Sequence, residues 1–388
     1  MSRGHMAHVA VVGTVEGGAD GGWMSGMPPN DDAVPVLDLS TDVVTLTEQL
    51  VDIESVSRNE QRIADAVEAA LRQHPHLRVT RFGHTVVART ELGRDERVVI
   101  AGHLDTVPVN DNLPARRDGD LLHGLGTCDM KSGDAVILAI AASISEPRRD
   151  VTYILYEAEE IEAEHNGLRK LAESHPELLE ADFAILMEPS NAVVEAGCQG
   201  TLRVDVTVAG VRAHSARSWM GANAIHAAGA VLDRLNAYEP RRPEIDGLTY
   251  HEGLNAVGIR GGVAGNVVPD RCVVEVNHRF APDRTEEEAE EFVRDFFHGF
   301  DVTVTDSAPG ALPGLDLPAA RAFVAAVGGE VNPKFGWTDV ARFSALGVPA
   351  VNFGPGDPSL AHRQDEHVPL VQIGHCEQAL RAWLAGDD

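Results

Sequence analysis

The chain has 388 residues, of which 60 are Asp or Glu and 32 are Lys or Arg, giving a formal charge of −28. That excess argues against nucleic acid and anionic membranes as partners, and an anionic substrate would need a locally cationic pocket. With 44% hydrophobic residues, no apolar run long enough to cross a bilayer and a length beyond what one core usually fills, the expectation is a cytoplasmic protein of two domains.

The first stretch, including "GTVEGGADGGWMSGMPPNDD" (13–32), is Gly-rich and polar without a signal-peptide core. Residues 1–44 are therefore set aside as a disordered leader, a cloning remnant or a misassigned start, with Met24 and Met27 as alternative starts. "SRNE" (57–60) has the form of a capping box, Ser57 with Glu60, ahead of a helical stripe at Ile63, Val67, Ala70 and Leu71. "RVVIAGHLDTV" (97–107), "DVTYILYEAEE" (150–160) and "ADFAILMEPS" (181–190) read as buried strands running into polar tips. "GDAVILAIAASI" (133–144) reads as a helix between the first two. This alternation predicts an α/β layer, a mixed and largely parallel sheet flanked by helices.

After Gly197 the texture changes. "GTLRVDVTVAGVRAHSA" (200–216) and "DRCVVEVNHRFAP" (270–282) show period-two strands. "GANAIHAAGAVLDRLNAY" (221–238) and "TEEEAEEFVRDFFHGF" (285–300) read as helices. The α/β texture returns later, with "VPAVNFGPG" (348–356) as a strand. The simplest organisation is an α/β catalytic domain at 45–197 and 307–388, interrupted at 198–306 by a smaller α+β sandwich.

Residues with chemistry gather at the predicted strand ends. His103 and Asp105 lie two apart, on one face of an extended chain, where a carboxylate can orient an imidazole. Asp129 tips a Gly-bounded loop before a helix. "YEAEEIEAEHNG" (156–167) holds Glu157, Glu159, Glu160, Glu162 and Glu164, readable either as solvated surface or as metal ligand and base. Glu188 closes an apolar run, and "LAHRQDEHVPL" offers His362 and His367. Cys128, Cys198, Cys272 and Cys376 form no C-x-x-C pair, which argues against disulfides or a thiolate zinc site. Two imidazoles and several carboxylates without thiolates suit a hydrolytic zinc or cobalt centre, with enough ligands for two ions.

In order along the chain, "GHLDTVP", "GLGTCDMKSG", the Glu159–Glu160 pair, "MEPS", "AHSA" and "LAH" resemble the zinc-dependent amidohydrolases that include succinyl-diaminopimelate desuccinylase, acetylornithine deacetylase and the aminoacylases. "EAGCQGTLRV", "AHSARSW", "GGVAGNVVPD", "GWTDVARF" and "VNFGPGDPSLAH" are most similar to the actinobacterial desuccinylases within that family. The resemblance implies two Zn2+ ions, with Co2+ as a substitute. Asp129 would bridge them, His103 and Glu188 would complete one ion, and Glu160 and His362 the other. It makes Glu159 the general base, places Asp105 behind His103, and has His214 reach across a homodimer interface in the inserted domain to the oxyanion. The implied substrate is a small anionic N-acyl amino acid, N-succinyl-LL-2,6-diaminopimelate, on a route to lysine. Arg279 and Asn266, with Arg217 and Thr338, would hold it.

Where many relatives carry a basic pair before Gly200, this chain has Cys198–Gln199. Another N-acyl-amino-acid deacylase, for acetylornithine or acetyl-lysine, is the alternative within the class. A non-catalytic metal- or peptide-binding member is the alternative outside it, although the base and all the implied ligands are present.

Overall fold

Period-two alternation builds the main sheet. In the strand Arg97–His103, Val98 and Ile100 join one hydrophobic cluster while Val99 and Ala101 join another, because successive strand side chains leave on opposite faces. The same division recurs in Asp150–Tyr156, with Tyr153 and Leu155 on one side and Ile154 and Tyr156 on the other. A sheet that buries both faces needs helices on each. Lys131–Ser143, Val43–Val51 and Leu370–Ala385 cover one face, and Gly167–Ser174 and Val340–Ala345 cover the other.

The computed structural model describes residues 34–385. Its main sheet has eight strands, ordered Arg78–Phe82, Thr85–Arg89, Asp150–Tyr156, Arg97–His103, Phe183–Leu186, Ala350–Asn352, Val194–Ala196 and Val331–Pro333. The four from Asp150–Tyr156 to Ala350–Asn352 are mutually parallel, so their C-terminal ends share one edge. In open α/β sheets that edge is where ligands bind.

A second sheet is antiparallel throughout, with the order Gly253–Gly261, Arg271–Phe280, Gly200–Ala209 and Asp301–Ala308. Leu202, Val204, Val206 and Val208 alternate onto one face, where Ala224, Ala228, Val231, Ala289 and Val293 cover them from helices. The helix Glu286–Phe296 opens with a capping box between Thr285 and Glu288. The fold class is the expected one: a mixed, largely parallel α/β layer with a smaller α+β layer.

Several local expectations are corrected. Ser57 does not cap the helix Gln61–Leu71, whose N-cap Glu60 makes no side-chain cap bond. Instead the Ser57 hydroxyl donates to Asp105 Oδ2 at 2.7 Å, and Glu60 accepts from Arg58 N. The helix expected over 221–238 is two short pieces, Ala224–Ala227 and Gly229–Asn236, divided beside a glycine. Residues 1–33 of the expected leader lie outside the described residues, but Leu37 and Val43 are buried in the core.

Candidate active site

The site forms where the parallel strands end. His103 is the last residue of its strand, and Glu159 and Glu160 follow Tyr156 on a loop. Glu188 follows Leu186, and His362 lies in the loop after Asn352. Asp129 arrives from the turn before the buried helix Lys131–Ser143.

Asp129 stands between the two imidazoles. His103 Nε2 lies 3.0 Å from Asp129 Oδ1, and His362 Nε2 lies 3.5 Å from Oδ2. His362 Nε2 is also 2.9 Å from Glu160 Oε2. His103 Nδ1–H donates to the backbone carbonyl of Asp105 at 3.0 Å, which turns Nε2 toward the site. The Asp105 carboxylate lies 3.5 Å from that nitrogen and has another task. It accepts the backbone N–H groups of Glu159 at 2.9 Å and Glu160 at 3.1 Å, besides the Ser57 hydroxyl.

Electrostatics follow from crowding carboxylates in a buried place. Burial, with the charges of Glu188, Asp339 and Glu160, pushes Glu159 well above the usual carboxylate range. Burial and Asp129 lift Glu188 to about 7, and the same pair of causes raises Glu160. Burial opposes ionisation of Asp129, yet hydrogen bonds to His103 and His362 hold it below the usual range. Hydrogen bonds to Asp129 and Glu160 push His362 up to about 10.

The donor set fits divalent metal ions. His103, Asp129 and Glu160 offer ligand atoms within 4.8 Å of one another. The two oxygens of Asp129 face different imidazoles, as a bridging carboxylate requires. The buried Glu188 Oε1 has no hydrogen-bond partner, so a hard cation would satisfy it. A second group, Glu60, His84 and Glu157, is also compact. There Lys170 Nζ already sits 2.8 Å from Glu157 Oε1, and Arg81 Nη2 lies 3.2 Å from His84 Nδ1. In this second group Glu157 and His84 thus already have partners within the protein.

The acidic run therefore divides differently from its pattern. Glu159 and Glu160 lie beyond the strand, so strand alternation does not set their directions. Glu157 is buried, accepting from His84 N and Lys170, whereas Glu162 and Glu164 sit at the surface near Arg58 and His165. His367 is in a short strand against His123, leaving His362 as the imidazole near Asp129.

The remaining candidates lie apart from this cluster. His214 is exposed, with Nδ1 accepting from Ala216 N, and its short strand pairs with Val267–Val268. Asn266 is exposed next to it, its carbonyl accepting from Ser215 N, and Arg217 is exposed in the following turn. Arg279 is half-buried opposite Thr201 and Gly253; burial, then Arg203, lowers its guanidinium pKa. Thr338 is buried, donating to Asn352 Oδ1 at 3.0 Å. Among the described residues no hydrogen bond or ion pair joins these five to His103, Asp129, Glu160 or His362.

Two carboxylates that build the site went unread in the sequence. Asp339 is buried and accepts from the Tyr156 hydroxyl and Asn166 Nδ2, each at 2.9 Å, and from Arg342. Glu366 is buried against the loop of Asp129. Their only signals were local: Asp339 adjoins Thr338 in "GWTDVARF", and Glu366 follows His362 in "LAHRQDEHVPL".

Residues 99–385 match the model of peptidase family M20/M25/M40. The chain belongs to that family. It is accordingly a hydrolase, with catalytic residues to be sought at the edge just described. A Corynebacterium glutamicum protein named succinyl-diaminopimelate desuccinylase is 48% identical over 92% of this chain and 100% of its own length. A Mycobacterium tuberculosis protein, provisionally named for the same activity, is 57% identical over 90% of this chain and 100% of its own. Among solved structures of the fold, a Staphylococcus aureus tripeptidase aligns with a TM-score of 0.71 at 21% identity, covering 87% of this chain and 95% of that one. A Bacillus subtilis protein described as a dinuclear metal binding M20 peptidase aligns at 0.66 with 18% identity, over 87% and 95%. No described helix is long and apolar enough to cross a membrane.

Proposed function

We propose that the chain hydrolyses N-succinyl-LL-2,6-diaminopimelate to succinate and LL-2,6-diaminopimelate, with two zinc ions that cobalt can replace. The observation that carries the metal site is Asp129, with one oxygen toward His103 and the other toward His362. The substrate follows the C. glutamicum relative, 48% identical over 92% of this chain. Ions held by His103, Asp129, Glu160, Glu188 and His362 would supply Lewis acidity toward the acyl carbonyl and acidify a water.

Within that frame Glu159 is the general base. It takes a proton from the attacking water, whose oxygen adds to the acyl carbon. The C–N bond then breaks with its electron pair on nitrogen, and Glu159 delivers the proton to the leaving amine. Asp105 fixes the backbone of Glu159 while its own carbonyl orients His103. His214, brought from a partner's lid, donates to the oxyanion. Arg279 and Asn266 hold substrate carboxylates, with Arg217 and Thr338 assisting.

In this reading 45–197 and 307–388 form the catalytic domain and 198–306 the lid. The lid is also the homodimer surface: Trp219 is 79% exposed, Met220 65%, Val257 64% and Ile259 54%, an apolar display that association would cover. The protein works in the cytoplasm, in diaminopimelate and lysine biosynthesis.

A second reading is an N-acyl-amino-acid deacylase such as acetylornithine deacetylase. Cys198 and Gln199 favour it, since both are buried and Gln199 donates to His251 O, leaving no basic pair for a succinyl carboxylate. A Myxococcus xanthus acetylornithine deacetylase is 30% identical over 74% of this chain and 79% of its own. Side-by-side turnover of N-succinyl-LL-diaminopimelate and N-acetylornithine decides; faster hydrolysis of the latter sinks the preferred substrate.

A further inference from the structure

The loop that carries Asp129 is wrapped around a carboxylate from the far end of the chain. Glu366 is 1% exposed. Its Oε1 accepts the backbone N–H groups of Cys128 at 2.8 Å and Asp129 at 3.1 Å, and its Oε2 accepts that of Gly126 at 3.1 Å. Its backbone carbonyl takes Gly124 N at 3.2 Å. Consecutive N–H groups pointing inward make an anion-binding concavity, and here the anion is a side chain of the protein. Gly126, at φ +81°, adopts the left-handed backbone that lets the loop curl this way. Gly356 closes it from outside, where a Cβ would stand 2.5 Å from Cys128 Sγ.

Glu366 shares its loop with His362. One segment thus offers an imidazole to a carboxylate oxygen of Asp129 and a carboxylate to the backbone N–H of the same residue. We propose that Glu366 is a positioning residue that holds Asp129 with its two oxygens diverging toward His103 and His362, and so sets the metal affinity of the site. Three charge-assisted bonds fix the loop backbone. Without them three buried N–H groups lose their partners, and the loop must rearrange to find others. This rests on the reading of Asp129 as a metal ligand.

The test compares wild type, Glu366→Gln and Asp129→Asn after chelator treatment. Co2+ alone is titrated against a competing chelator, following its visible absorption, with a thermal melt on each sample. Gln keeps the shape of Glu366 but replaces an acceptor oxygen with an NH2 facing N–H donors. Glu366→Gln is expected to weaken Co2+ binding roughly tenfold to a hundredfold and to alter the absorption bands, with Asp129→Asn weakening it as well. Binding by Glu366→Gln within about twofold of wild type with unchanged bands, whatever its melting temperature, overturns the positioning role. If Asp129→Asn binds Co2+ like wild type, the metal reading fails and the positioning role with it. Should Glu366→Gln not fold, amide hydrogen exchange on the metal-free wild type decides. Protected amides at Gly126, Cys128 and Asp129 support the clamp, and exchange at solvent rates overturns it.

Discussion

Asp105 Oδ1 accepts the backbone N–H of Glu159 at 2.9 Å, so the aspartate that follows His103 also fixes the proposed base. Its other oxygen takes Glu160 N and the Ser57 hydroxyl. Asp105→Asn keeps the size but turns an NH2 toward one of the two backbone N–H groups. It is expected to lower kcat roughly tenfold to a hundredfold with KM little changed. Steady-state kinetics check this, and a kcat close to wild type would remove Asp105 from the positioning of the base.

Glu159→Gln tests the base itself. The amide can still hydrogen-bond but cannot take a proton, so kcat is expected to fall roughly 10²- to 10⁴-fold. Metal content, measured by elemental analysis, stays at the wild-type value because Glu159 is not among the proposed ligands. A variant that turns over normally would mean the base lies elsewhere.

His214→Ala is expected to lower kcat roughly 10²- to 10³-fold with metal content unchanged. The residue is exposed and, among the described residues, has no hydrogen bond to His103, Asp129, Glu160 or His362 of its own chain. Action across a dimer predicts complementation. Mixing His214→Ala with Glu159→Gln, then allowing subunits to exchange, should restore turnover that neither parent has. Continued silence in verified hybrids would rule out action across the dimer, and a His214→Ala variant with wild-type kcat would place the residue outside the reaction.

Acid stability should depend on His278. Its ring is buried, with Nδ1 3.1 Å from the Gly253 carbonyl. Burial, with Arg284 and Arg241 nearby, lowers its pKa from the ordinary 6.5 to about 4. Below 6.5 the unfolded chain takes a proton there that the folded chain refuses, so stability falls between 6.5 and 4 and this contribution then levels off. The full loss is of the order of 3 kcal/mol. His278→Asn retains an N–H for Gly253 and does not titrate. Urea midpoints at neutral pH and at the lower end of that window should therefore differ less in the variant than in wild type; an equal drop would clear His278.

The strand ends were legible because strong apolar runs stop abruptly at polar residues, and that pattern is local. His103 and Glu188 could be nominated from it; Asp129 came from a Gly-bounded loop, and the resemblance sorted Glu159 and Glu160 from the other glutamates and His362 from His367. What escaped depends on contacts between distant segments. Ser57 looked like a helix cap because its neighbours have cap spacing, yet a tertiary partner, Asp105, takes its hydroxyl. Glu157 could be read as a solvated charge or as one beside the site, and only the approach of His84 and Lys170 makes it buried and paired. Glu366 stands near His362 in the sequence, but what it does could not be read. Its partners are 237 to 240 positions away and are backbone N–H groups, which carry no side-chain signature.

The order of the main sheet bears on how the protein is made. Ala350–Asn352 is inserted between Phe183–Leu186 and Val194–Ala196, both of which emerge from the ribosome much earlier. Until that late strand arrives, an apolar interior strand is left with an open edge, the kind of edge that pairs with other chains. Completion of the sheet must wait for about 150 further residues to be made, and over that interval the exposed edge is open to pairing with other chains.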